Sequence, residues 1–256
     1  MLIILPPSET KAHGGNSAPL DWDALSFPKL NPVRREIAAE LAALDVDEAL
    51  KVLKISEKLR GEAESNRVLE SSPTMPALER FTGVLYDALN APSLDADARE
   101  FLAVGDALFG LVRADDLIPH YRLSGGTKLG GRTLKSRWGS AISDELRALA
   151  REQLIIDMRS GTYQQLGKLK EAATVRVESV QEDGSRKVVS HFNKHYKGLV
   201  ARELALREEE LPDDPEGTAT AEALADVLRG TPRFRDAGFD AEVSGPASVT
   251  LTVPAG

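Results

Sequence analysis

The chain has no cysteine. That excludes disulfides, thiolate nucleophiles and cysteine-held metals, and it suits a reducing cytoplasm, the expected location. No run approaches the roughly 18 apolar residues of a membrane-spanning helix, so no membrane partner is expected. The opening Met1-Leu-Ile-Ile-Leu-Pro6 lacks a basic segment and is far too short for a secretory signal. The folded part is therefore expected to begin almost at the first residue, as a strand. Aromatic residues make up only 5% of the chain, so the core must be built mainly from Leu, Val, Ile and Ala. A net basic charge is also missing: 32 Lys and Arg against 40 Asp and Glu leave −8. Such a field repels phosphate overall and argues against indiscriminate nucleic-acid binding. Screening limits each charge to about 8–10 Å, however, so a local basic patch is allowed and distribution matters more than the sum.

Three phosphate or nucleophile signatures are absent as well: Gly-x-Gly-x-x-Gly, the Walker loop and Gly-x-Ser-x-Gly. Ser8 and Lys11 form a Ser-x-x-Lys pair, but the rest of that hydrolase signature is lacking. His191 and His195 are four apart without a Glu-x-x-His pattern, and no metal site and no cofactor are expected. No catalytic residue is assigned.

What the chain does contain is a mixture of strand and helix signals. Leu2–Leu5 reads as a buried strand ended by Pro6-Pro7, and Leu154–Met158 as the best central strand. Asn31 and Pro32 mark a helix start with Asn31 as cap, and a second helical run covers Val46 to about Ala63. Shorter helices are expected near Ala77–Leu89, Asp95–Val104 and Asp106–Val112. Gly125-Gly126 and Gly130-Gly131 bracket a flexible or hairpin-like segment. Val175–Val180 and Lys187–Val189 flank Asp183-Gly184 and read as a hairpin. Helices Ala141–Glu152, Lys194–Arg207 and Thr218–Arg229 and closing strands at Ala241–Val243 and Ser248–Val253 complete the pattern. No repeat appears and no linker forces a boundary, so residues 1–256 are expected to form a single domain. The fold class expected is α+β, a mixed β-sheet surrounded by helices, with a basic cleft.

The basic cleft is expected from the charge map. Two windows, Tyr121–Trp138 and Ser185–Arg202, hold no carboxylate. The first carries Arg122, Lys128, Arg132, Lys135 and Arg137; the second carries Arg186, Lys187, Lys194, Lys197 and Arg202, interleaved with His191, Phe192, His195 and Tyr196. Cations among aromatics and small residues suit a phosphate-bearing partner, with Lys and Arg on phosphates and rings stacked on bases. Two solvated faces paired with acids elsewhere are the competing account. Lys194 and Lys197 share a face at a helix start, where like charges and the macrodipole both oppose them. An anionic ligand would offset both penalties; Ser190 or Asn193 as a plain cap is the structural alternative. Ser160-Gly-Thr-Tyr163 follows a strand end, a favoured ligand position, and Asp157 needs a partner if buried. The anion- or DNA-binding candidates are Lys11, Arg122, Lys128, Arg137, Ser160, Tyr163, Lys194 and Lys197.

Several segments, in order, resemble the YaaA peroxide-stress family and in particular its actinobacterial-type branch. They are Leu5-Pro-Pro-Ser-Glu-Thr-Lys11, Leu78–Tyr86, Leu108–Leu123, Arg137-Trp-Gly139, Ile156-Asp-Met-Arg-Ser-Gly-Thr-Tyr163 and Val189–Gly198. The opening puts Glu9 where the commoner form has lysine. The resemblance implies a cytoplasmic protein of the oxidative-stress response that limits hydrogen peroxide damage, with lower free iron and DNA protection. It also implies a single domain with a basic cleft, DNA binding, and a helix-hairpin-helix-like element near Asp47–Arg60. Two functions follow as expectations. One is a DNA-binding stress protein that holds the phosphodiester backbone in its cleft and limits iron-dependent oxidative damage. The other is an enzyme acting on a small phosphorylated or nucleotide-like ligand in the same cleft, with Lys197 or Tyr163 as proton carrier.

Overall fold

Leu2–Leu5 forms the expected strand and lies inside a four-stranded sheet. The computed structural model describes residues 1–181, 183–188, 193–211 and 219–254. Across this sheet the order is Leu111–Arg113, Leu102–Gly105, Leu2–Leu5 and Ile155–Asp157. Leu2–Leu5 runs parallel to both of its neighbours, and Leu111–Arg113 is antiparallel to Leu102–Gly105. All four residues of Leu2–Leu5 are fully buried, which explains the continuous apolar run where an exposed face would impose alternation. Each such side chain contributes about 2 kcal/mol of transfer free energy.

Two sequence expectations shift here. Asp95–Val104 and Asp106–Val112 contain only the short helix Ala96–Glu100; Leu102–Gly105 and Leu111–Arg113 are strands. Short apolar runs buried on every side carry no period that separates helix from strand. Ile155–Asp157 lies at the end of the sheet order, and its outer side is covered by Ala173. The Ala173 amide donates to the Ile155 carbonyl and its carbonyl accepts from the Asp157 amide, both at 2.8 Å. Asn31 is likewise no side-chain cap. It is the first residue of the helix Asn31–Ala43, and its amide donates to the Trp22 carbonyl while accepting from Arg34. The run from Val46 breaks at Lys54, which adopts a left-handed φ of 54°, and continues as a short turn and then the helix Arg60–Arg67.

The Asp183-Gly184 hairpin stands as expected, whereas Gly130-Gly131, expected to bracket a segment, is itself a turn. Lys128–Leu129 pairs with Arg132–Thr133 around Gly130-Gly131, both at positive φ. Thr174–Val180 pairs antiparallel with Arg186–Val188 and parallel with Ser248–Pro254, which in turn pairs with Asp240–Gly245. The helices Asn193–Leu206 and Ala219–Gly230 fall close to their expected bounds. One continuous apolar cluster extends from Leu2 to Val253, and strands and helices both feed it, giving an α+β architecture. Among the described residues no helix is long and apolar enough to cross a membrane.

Candidate functional site: a lysine-lined cleft at parallel strand ends

The parallel strands Leu2–Leu5 and Ile155–Asp157 end side by side, and the segments leaving them form the two walls of a cleft of about 530 Å³. Pro6, Pro7 and Glu9 come from the first; Ser160, Thr162 and Tyr163 from the second. The loop Ser124–Gly126 and the first turn of helix Asn193–Leu206, with Asn193, Lys194 and Lys197, close the remaining sides. A ligand pocket at the carboxyl ends of parallel strands is where side chains from separate segments converge while the sheet stays intact.

Two glycines allow this arrangement. A Cβ on Gly198 would overlap the Leu85 carbonyl oxygen, so only glycine lets the helix bearing Lys194 and Lys197 lie against Val84–Leu89. A Cβ on Gly125 would press to 3.2 Å on Thr162 and on the Tyr163 ring. Glycine there keeps the loop tight against that wall.

Lys197 reaches over the floor and donates to the Met158 carbonyl at 2.8 Å. Burial lowers its pKa below the ordinary lysine range, opposed in part by the Asp157 carboxylate. Lys194 also lines the cleft and makes no ion pair or hydrogen bond to a described residue. Asp157, which needed a partner, has one: Arg159 donates to it through Nε at 2.9 Å and Nη2 at 2.8 Å. This buried pair, with a further bond from Arg159 to the Gly167 carbonyl, fixes the turn that presents Ser160.

Glu9 is the hub of the opposite wall. Its carboxylate accepts from the Tyr163 hydroxyl at 3.1 Å and pairs with Arg122 at 3.2 Å, while Arg122 also donates to the Glu9 carbonyl at 2.7 Å. Burial first, and the Glu9 charge second, push the Tyr163 hydroxyl well above the ordinary tyrosine range. The Tyr163 hydroxyl donates its hydrogen bond to the Glu9 carboxylate in this geometry.

The sequence-predicted residues thus divide. Ser160, Tyr163, Lys194 and Lys197 line the cleft together, and Arg122 adjoins it through Glu9. Lys11 does not line it: the side chain is buried, donates to the Ser8 carbonyl at 3.1 Å and lies 4.3 Å from the Tyr121 ring centroid. Desolvation lowers its pKa to about 8, against the attraction of Asp106. Lys128 lies exposed on the small hairpin, and Arg137 is buried between Glu36, Glu40 and the Leu129 carbonyl. Ser190, His191 and Phe192 lie outside the described residues. Pro6 and Ser124 are cleft residues without any chemical signal in the sequence, and Arg159 became visible only once Asp157 was seen to be buried.

The fold and the cleft together define an α+β protein with a lysine-lined pocket at parallel strand ends. Residues 1–222 match the model of the family described as "Peroxide stress protein YaaA", and the chain belongs to that family. A UPF0246 protein of Corynebacterium glutamicum is 61% identical over 241 residues, covering 92% of this chain and 98% of that one. A second, from Corynebacterium efficiens, is 57% identical over 258 residues with 99% of each chain covered. A third, from Streptomyces coelicolor, is 40% identical over 257 residues, covering 96% of this chain and 94% of that one.

Proposed function

We propose that this member of a peroxide-stress family works by binding a small phosphorylated or nucleotide-like anion in the cleft between Glu9 and Lys197. The observation that carries the reading is the pairing of Lys194 and Lys197 on the first turn of a 14-residue helix, facing Ser160 and Tyr163 across 530 Å³. The two ammonium groups and the helix N-terminus supply positive potential in one place. Ser160 supplies a hydroxyl, and the flat wall at Gly125-Gly126 leaves room for a ring or sugar. The volume matches a mononucleotide-sized ligand.

A longer phosphodiester chain, as in DNA, is the second reading. It is favoured by a further hollow of about 170 Å³ that shares Lys194, Glu9, Pro6 and Pro7 with the cleft. Against it stand the Glu9 carboxylate in the wall and the net charge of −8.

A thermal-shift screen with inorganic phosphate, nucleotides, phosphosugars and a short DNA duplex tests both. At about a hundredfold over Kd, a bound ligand stabilises by about 2.7 kcal/mol, roughly 5–10 °C for a chain of this size. A mononucleotide or phosphosugar is expected to give that shift on the wild type and to lose it on Lys197→Ala. If only DNA shifts the protein, with affinity falling steeply between low and physiological salt, the second reading replaces the first. No shift by any of these, or an equal shift in the variant, would sink the cleft as the binding site.

A further inference from the structure

Among the described residues, one cluster outside the cleft has the composition of a metal centre. His13, Glu62 and His120 each offer one ligand atom, and these atoms lie within 4.8 Å of one another. They come from three separate elements: the loop after the first strand, the helix Arg60–Arg67, and the segment following Leu117–Ile118. Spacing in the sequence could not have revealed them, since neighbours in the cluster are about fifty residues apart.

The hydrogen bonding at His120 leaves an unanswered charge. Its Nδ1 lies 3.1 Å from the Ala12 carbonyl oxygen, which only accepts, so Nδ1 carries the proton. The same carbonyl also accepts from the buried Arg80 guanidinium, which holds it in place. Nε2 lies 3.1 Å from the Glu62 carboxylate, and without a second proton it would present a lone pair to it. Two acceptors at that distance need a positive centre between them, either a proton or a metal ion. A backbone carbonyl on the far nitrogen of a histidine is also the outer partner that fixes the tautomer of metal-ligating imidazoles.

The third member favours the metal. His13 stacks on His120 with ring centroids 4.3 Å apart and 24° between planes, and its Nε2 lies 3.8 Å from the other Glu62 oxygen. Both imidazoles thus aim Nε2 at one carboxylate. His120 and Glu62 are largely buried, whereas the His13 side chain is 76% exposed and free to pivot onto a bound ion. Two imidazole nitrogens and one carboxylate oxygen, without sulfur, suit a borderline divalent ion of the first transition row and not Mg²⁺ or Ca²⁺, which prefer all-oxygen shells.

We propose that His13, Glu62 and His120 form a site for one divalent first-row transition-metal ion, with His120 and Glu62 as the preset ligands and His13 closing on it. The proposal stands independently of the anion cleft.

The test uses the untagged full chain, stripped with a chelator and titrated with Co²⁺ or Zn²⁺. The expected result is one ion per chain by calorimetry, visible d–d absorption bands for Co²⁺ displaced by Zn²⁺, and no competition from excess Mg²⁺. His13→Ala, at an exposed position, should leave the melting temperature of the stripped protein unchanged and weaken binding by about tenfold or more; Glu62→Gln should do at least as much to affinity. Absence of Co²⁺ bands would mean that a proton alone joins Glu62 and His120, and the proposal would be wrong. It would equally be overturned by binding that survives both substitutions, or that Mg²⁺ abolishes.

Discussion

The two carboxylate-free windows, alike in sequence, have opposite fates in space. In Tyr121–Trp138 the long-range fold brings acids to the arginines: Arg122 meets Glu9, Arg132 meets Glu36, and Arg137 lies between Glu36 and Glu40. In Ser185–Arg202 the arginines are also committed, Arg186 to Glu242 and Arg202 to the Leu89 carbonyl, yet among the described residues Lys194 has no partner and Lys197 has only a carbonyl. Guanidinium and ammonium divide the labour. The rigid fork of Arg suits fixed carboxylates and carbonyls, while the compact lysine charge on a flexible stem is left to face the cleft. A basic run in sequence therefore marks a candidate, and the distinction between structure and site lies in which cations the fold neutralises.

The largest expected effect breaks the first region without touching the second. Arg137→Ala strips Glu36 and Glu40 of a cation whose own side chain is only 3% exposed. Both acids keep some water, so the loss stays below that of a fully buried pair; about 2–4 kcal/mol is expected in urea unfolding. Anion affinity measured on the folded variant should match the wild type. A stable Arg137→Ala, or one with weakened anion binding, would mean that the first window belongs to the site after all.

How much of this was legible beforehand follows from where the determining contacts lie. Leu2–Leu5, the Asp183-Gly184 hairpin and the lysine helix are specified locally, by apolar runs and turn residues, and the sequence shows them. Leu102–Gly105 misleads as a helix because burial on both faces erases its period. Lys11 misleads as a cleft residue because its position depends on Tyr121, a hundred residues away, over whose ring it packs. Ser160, Tyr163, Lys194 and Lys197 were readable as anion candidates because strand ends and helix starts leave a local signature. That Glu9 would bind both Arg122 and Tyr163 was not, since those contacts span over a hundred residues.

A middle-sized effect sharpens the second region. Lys194→Ala removes a cation without a partner among the described residues, so unfolding free energy should stay within about 0.5 kcal/mol of wild type. Affinity for the anion should fall about tenfold, the worth of one charge-assisted hydrogen bond. Isothermal titration beside urea unfolding reads both. A variant that loses stability and keeps affinity would reverse the assignment of the two windows.

The smallest effect concerns pH, and its sign separates binding from folding at Lys197. Burial holds the folded-state pKa of Lys197 below the ordinary lysine range. Its ammonium is therefore a cost to folding that is fully present at low pH. That cost is relieved as pH rises from the lowered value toward that of the unfolded chain. Anion binding needs the same proton, so affinity should move the other way and decline across that window. Sulfate is the suitable probe because its own charge is constant there. A decline of a few-fold is expected for the wild type, while Lys197→Arg, charged throughout, should give a flat profile. A flat wild-type profile would mean that Lys197 does not touch the anion, leaving Lys194 as the lysine that separates the two windows.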